Sequence, residues 1–271
     1  MIEKRLNSLP LWFFENLSEQ REICHFVSAR SGGFSHPPYE SLNLGFHVGD
    51  NPETVFRNRE RLATALRIPM NSFTTARQDH GSNVEIITEA LRGFGAVNYE
   101  SAIYGADAMV TDIPGICLMV LQADCVPLLF FDVKKKVIGV AHAGWRGTVA
   151  GIAQKMIKTL KENFNCLPDD VLVGIGPSIG PCCYEVDWKV AVQLEESSGH
   201  KKDYVSETPD GKRYCDLWEA NKTQLVQAGI PEKNIEIAGK CTYCNHTHFF
   251  SYRYQQRETG RFGAGILLIN S

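Results

Sequence analysis

Between Ala108 and Gly176 the chain is a succession of short, continuously apolar runs cut by turns: AMVT, ICLMVL, PLLFF, VIGVA and VLVGIG. A strand with one solvated face alternates apolar and polar residues, whereas a run apolar at every position is buried on both faces. Several such strands in one chain require sheets covered on each side. VEIIT from Val84 and FGAGILLIN from Phe262 add further strands. Helices are expected at Pro52–Leu66, where Asn51-Pro52 supplies an N-cap and a first-turn proline, and at Thr148–Phe164, where Ile152, Met156, Leu160 and Phe164 recur at four-residue steps. Two more are expected at Val186–Glu196 and Leu217–Ala228, and Arg30–Asp50, rich in Gly, Ser, Pro and Asn, should be mostly loop. The expected class is α+β: mixed β-sheets flanked by helices, one domain over residues 1–271, with a strand order that the pattern does not define.

With 28 Lys+Arg against 31 Asp+Glu, the net charge of −3 argues against a protein held to nucleic acid or anionic membrane by bulk charge. No apolar run approaches the roughly 20 residues of a membrane span. Charges interrupt the apolar stretch of MIEKRLNSLPLWFFENLSEQ and no small-residue cleavage site follows, so the cytoplasm is the expected location. Nine cysteines, an odd number over a long chain, then read as reduced thiols. Most should be small buried hydrophobes.

The chemistry concentrates in ADCVPLLFFDVKKKVIGVAHAGWRG, residues 123–147. PLLFF and VIGVA joined by a Lys-rich connection read as a hairpin. With its turn centred between Val133 and Lys134, Cys125 falls opposite His142, and paired Cβ atoms on one face lie roughly 4.5–5.5 Å apart. A thiolate and an imidazole that close can share a metal ion or form a nucleophile–base pair; equally, they can be an inert core thiol and a hydrogen-bonded histidine. Arg146 and the start of a helix adjoin the pair, and both favour anions. His80, in a loop just before a strand, is a third candidate. Together His80, Cys125 and His142 would make a Cys/His₂ site of the kind zinc favours, with the fourth position left to water.

Other segments are more ambiguous. Gly174, Gly176 and Gly180 follow a strand and can either cradle a phosphate or form an ordinary turn. Cys182 and Cys183 read as packing. CTYCNHTHFF holds Cys241, Cys244, His246 and His248 within eight residues, a possible half zinc site without a second half at the usual separation. Arg253, Arg257 and Arg261 form either a solvated face or a set of anion ligands.

Taken together, QDHG at 78–81, GADA at 105–108, ADCVPL at 123–128, HAGWRG at 142–147, IGPSIG at 175–180, SLNLGFHVGD at 41–50, and FFSYR with TGR at 259–261 resemble the YfiH/YlmD family, most closely its bacillary members. The resemblance runs from about Arg30 to Gly265. It implies an α+β fold distantly similar to the deamidase domain of cytotoxic necrotizing factor toxins. It also implies a purine nucleoside enzyme that phosphorolyses adenosine, inosine, guanosine and methylthioadenosine and deaminates adenosine. The implied metal ligands are His80, Cys125 and His142, which are also the implied catalytic residues, with one zinc per chain.

An older label for the family, multicopper polyphenol oxidase or laccase, requires many His-x-His pairs. This chain has eight histidines, and only His246 and His248 form such a pair. Phosphorolysis needs an oriented phosphate. Arg59 and Arg146 are the candidates to hold it, and Asn43 to hold ribose or phosphate, by residue type and motif position. Asp124 is a candidate to protonate the leaving purine, or else it orients His142 or caps the turn. The partners expected are purine nucleosides and phosphate. The alternatives are a thiol amidohydrolase using Cys125 and His142, and a binding module without turnover.

Overall fold

Each long apolar run forms a strand buried along its whole length: Cys117–Gln122, Val126–Asp132, Val137–Ala143 and Phe262–Leu268. The structure is a computed structural model that describes residues 1–197, 204–256 and 258–269. Two six-stranded sheets dominate it. The first runs in the order Ile2–Leu6, Leu9–Phe13, Ile23–Ser28, Phe262–Leu268, Cys117–Gln122, Phe73–Thr74; only the last pairing is parallel. The second runs Ile235–Ile237, Val171–Ile175, Val126–Asp132, Val137–Ala143, Ala108–Thr111, Val84–Ile86, antiparallel inside and parallel at both edges. The class is α+β with mixed sheets, as the apolar runs require.

Side chains alternate across a strand, and here both directions are apolar. Leu129, Phe131, Ile138 and Val140 meet Val120, Ala264 and Ile266 between the sheets. Phe130 and Ala141 point the other way, onto Ile152, Met156 and Leu160 of helix Ile152–Phe164 and Leu225 of helix Leu217–Gln227. On the far side of the first sheet, Phe26 and Met119 pack on Leu62 and Leu66 of helix Pro52–Leu66. The result is four layers, helix, sheet, sheet, helix. Each buried side chain of this size contributes about 1.5–3 kcal/mol of transfer free energy, so the fold does not depend on any one ion.

Helix Pro52–Leu66 has the predicted bounds, and the Asn51 side chain accepts from the N–H groups of Glu53 and Thr54. Three expectations need correction. The helix expected over Thr148–Phe164 is two pieces, Trp145–Val149 and Ile152–Phe164, because Gly151 takes a left-handed φ of 74° between them. The helix expected at Val186–Glu196 is Trp188–Ser197, since Val186 pairs with Arg213 in a small sheet. The third ends at Gln227 with Ala228 as its cap. The last strand ends at Leu268, and Asn270 lies outside the described residues.

The hairpin register also differs. His142 pairs with Pro127, not Cys125, because the turn spans the four residues between Asp132 and Val137. The Asp132 carboxylate accepts from the N–H groups of Lys134 and Lys135, which centres the turn one residue later than expected. That moves the register by two residues and so keeps Cys125 and His142 on the same side of the sheet.

Candidate active site

His142 is the penultimate residue of its strand, on the inter-sheet face, and Cys125 closes the turn that joins strand Cys117–Gln122 to Val126–Asp132. His80 reaches the same point from the loop after Arg77. The ligand-type atoms of His80, Cys125 and His142 all lie within 4.8 Å of one another, and the two imidazole rings meet edge to face at 4.9 Å. His142 is buried, Cys125 half-buried and His80 exposed.

Asp107 organises this corner. Its carboxylate accepts from the backbone N–H groups of Asp79, His80 and Gly81 and from the ring Nδ1–H of His142 at 2.8 Å. The first three bonds hold the tight turn in which His80 has a φ of 63°. The fourth leaves Nε2 of His142 for the cluster. Burial pushes the Asp107 carboxyl up, but the bonds from His142 and around Asp79 hold it at about 2. Burial likewise pushes the Cys125 thiol up, yet the charge of His142 and hydrogen bonds from both histidines bring it to about 6. Burial opposes protonation of His142, while Cys125 and Asp107 raise it to about 9. The favoured state is thiolate beside imidazolium.

These residues fit a metal ion. A tetrahedral zinc with bonds of 2.0–2.3 Å sets its ligand atoms about 3.3–3.8 Å apart, a small contraction of the cluster. A carboxylate on the far nitrogen of a ligand histidine is the usual supporting contact. Space is kept for the cluster: a Cβ at Gly144 would sit 3.0 Å from Sγ of Cys125 and 3.2 Å from Cδ2 of His80.

The cluster lines a cavity of about 500 Å³ that His47, Tyr184, Tyr252, Arg146, Arg253 and Arg261 also line. This lies within the roughly 300–1,000 Å³ of small-molecule sites. Arg146 stacks on Trp145 at 4.6 Å, and its guanidinium has no hydrogen-bond acceptor among the described residues. Arg253 donates to the Glu185 carbonyl and Arg261 to the Thr259 and Gly260 carbonyls. Arg257, grouped with them by sequence, lies outside the described residues. His47 is held neutral, as burial and then the charges of Arg261 and Arg59 push it down to about 4.

Two expected ligands are not at the cavity. Arg59 is buried under the Phe46 ring and donates to the carbonyls of Leu44, Gly95 and Ala96. Asn43 is buried too; its Oδ1 accepts from the N–H groups of Gly45 and Arg261, and it therefore positions the segment carrying Arg261. Asp124, with a φ of 89°, accepts from the Thr242 hydroxyl and the Arg253 N–H, so both oxygens are engaged. It ties the turn at Cys125 to the segment after Lys240. The glycine run is no phosphate cradle: its N–H groups go to the Pro127 carbonyl and the Cys241 sulfur. The helix after Gly144 is barely more than one turn, too short for the anion site expected of a helix start.

Residues 24–269 match a family model described as multi-copper polyphenol oxidoreductase laccase. The chain belongs to this family. It is the YfiH/YlmD family that the sequence motifs resemble. The chain is 40% identical over 241 residues to purine nucleoside phosphorylase YlmD of Geobacillus stearothermophilus, covering 89% of this chain and 88% of that one. The crystal structure of YlmD from the same organism superposes with a TM-score of 0.90 at 38% identity, covering 92% and 93% of the two chains. A protein named adenosine deaminase RL5, from an unknown prokaryotic organism, is 36% identical over 229 residues, 84% of this chain and 87% of its own.

Within this YfiH/YlmD chain the copper in the family description has few ligands to call on. His246 bonds the Tyr243 carbonyl through Nδ1 and stacks on Tyr254 at 3.6 Å, while His248 lies against Trp12. Among the described histidines only His80 and His142 join a metal-capable group. The sequence reading missed Asp107 and His47 as site residues, although GADA and GFHVGD both lay within its motifs. An Asp ahead of a strand carries no mark of the histidine it faces across the sheet.

Proposed function

We infer that this chain is a zinc-dependent purine nucleoside enzyme. It phosphorolyses adenosine, inosine, guanosine and methylthioadenosine to the free base and the ribose 1-phosphate, and deaminates adenosine to inosine. The observation that carries this is the convergence of His80, Cys125 and His142 on a cavity walled by Arg146, Arg253 and Arg261. The nitrogen and sulfur donors favour zinc. When bound, the ion supplies Lewis acidity and a water acidified to near neutral pH. Relatives named purine nucleoside phosphorylase and adenosine deaminase support the reading.

The chain's own residues supply binding and orientation. Arg146, whose guanidinium has no acceptor among the described residues, presents a planar fork that suits two phosphate oxygens. Arg253 and Arg261 add positive charge to the same cavity. In phosphorolysis a phosphate oxygen bonds C1′ as the C1′–N9 bond breaks, and the electron pair leaves with the purine, which takes up a proton. Asp124 is not free to give that proton, since its carboxylate is already the acceptor of two bonds. Tyr184 and Tyr252 offer aromatic faces to a purine. Asp107 keeps His142 in one tautomer. Asn43 and Arg59 serve as scaffold.

Inosine should give hypoxanthine only when phosphate is present. Equal release in phosphate-free buffer would mean hydrolysis and would overturn the phosphate-binding role of Arg146.

A second reading rests on the lowered Cys125 thiol beside His142, a pairing that also suits a nucleophile and its base acting on an amide. It predicts a burst of covalent product, abolished by alkylating Cys125 and unaffected by chelators.

A further inference from the structure

Two pairs of cysteines about 60 residues apart in sequence meet at one point on the surface beside the cavity. The ligand atoms of Cys182, Cys183, Cys241 and Cys244 lie within 4.8 Å of one another, with sulfur–sulfur separations of 3.7 Å for Cys182–Cys244 and 3.4 Å for Cys183–Cys244. We propose that these four thiols bind a second zinc ion, a closed structural site separate from the His80–Cys125–His142 cluster.

Four observations support it. First, zinc–sulfur bonds of 2.3 Å in a tetrahedron set sulfurs about 3.8 Å apart, so these two separations are already near that spacing. Second, cysteines usually serve as small buried hydrophobes, but Cys182 and Cys244 are exposed and Cys183 is half-buried. Third, the Cys241 sulfur accepts the Gly180 N–H at 3.2 Å, and a backbone donor aimed at a sulfur stabilises a thiolate. The Cys241 carbonyl accepts the Asn245 N–H and side-chain amide, which folds Cys241-Thr-Tyr-Cys244 into a tight loop. Fourth, the two halves are held in register without the ion. Ser178 donates to the Lys240 carbonyl and accepts the Thr242 N–H, while the Cys183 and Tyr184 N–H groups bond the Gly180 carbonyl.

The histidines of CTYCNHTHFF, His246 and His248, take no part. The second half of the site is the Cys182-Cys183 pair, about 60 residues upstream and outside every familiar zinc spacing.

Four thiolates leave no open position, which marks the site as structural rather than catalytic. The ion would staple the segment after strand Val171–Ile175 to the segment from Lys240. The second of these carries Thr242 and Arg253, which hold Asp124 next to Cys125. The proposal is independent of the reading of the cavity.

Metal analysis of protein purified reduced and without chelator tests it. The Cys182→Ser/Cys244→Ser double variant should hold about one zinc per chain fewer than the wild type, and His80→Ala should lose a different one, so that combining the changes removes both. Cobalt-loaded His80→Ala should keep the intense thiolate-to-cobalt bands of a four-sulfur site; this arm stands even if the cysteine variants fail to fold. Unchanged zinc in the double variant would overturn the proposal. So would cobalt-loaded His80→Ala without those bands, or an intact mass showing a disulfide among the four cysteines.

Discussion

The ring Nδ1 of His142 and a carboxylate oxygen of Asp107 lie 2.8 Å apart, and the same carboxylate gathers the N–H groups of residues 79–81. One side chain thus sets the tautomer of one proposed ligand and the backbone of another. Asp107→Asn preserves size but not charge. Its metal affinity at this cluster should fall roughly 10–100-fold, as is usual when a supporting carboxylate is lost. Competition with a chromogenic chelator measures it, and unchanged affinity would separate Asp107 from the metal.

Gly144→Ala isolates the space around the cluster. The backbone at 144 has an ordinary φ of −67°, so alanine is not excluded by conformation. Its methyl would press on Cys125 and His80. Metal binding and turnover should both drop while the melting temperature moves little. Wild-type metal content in a folded variant would show that the cluster has more room than the geometry gives it.

The two arginines of the phosphate expectation should part company. Arg59→Met leaves the buried carbonyls of Leu44 and Ala96 without donors, while that of Gly95 keeps the Thr75 hydroxyl, and should destabilise the fold by about 3 kcal/mol, measured by urea unfolding, with KM for phosphate unchanged in the folded protein. Arg146→Lys should leave stability within about 0.5 kcal/mol and cut kcat/KM for phosphate by about tenfold or more, because a point charge does not replace a fork. The reverse pattern would return the phosphate to Arg59.

His25 sets a pH limit on stability. Burial pushes its pKa down to about 4, and its Nε2 accepts the Phe14 N–H, which requires the neutral ring. The unfolded chain takes up this proton near pH 6.5 while the folded chain resists to about pH 4. The contribution is therefore intact above pH 6.5 and is lost as pH falls toward 4. Between pH 7 and 5 the wild type should lose about 2 kcal/mol more than His25→Asn. Equal losses in urea titrations of the two proteins would mean that His25 is protonated in the fold.

What was legible in the sequence was what local pattern controls. Asn51-Pro52 carries its own cap, so helix Pro52–Leu66 could be bounded to the residue. The doubly apolar runs announced covered sheets. The hairpin slipped by two because the Asp132 side chain, a detail of the turn, moves its centre. Even so, Cys125 and His142 met His80, since a two-residue slip preserves the face. The sequence does not tell where Arg59 lies, because a buried, carbonyl-bound arginine and a phosphate-binding one are the same letter. Cys182 and Cys183 were read as packing for a related reason: their partners, Cys241 and Cys244, become neighbours only through the Ser178–Cys241 bridge.

The central claim is that three residues from separate elements share one ion that turnover requires. The direct measurement is metal content and inosine phosphorolysis of wild type, His80→Ala and Cys125→Ser, purified identically. Each variant should contain about one zinc fewer than the wild type, remain folded, and lose nearly all phosphate-dependent release of hypoxanthine. Wild-type zinc in His80→Ala, copper in place of zinc, or full activity in metal-free wild type would contradict the account.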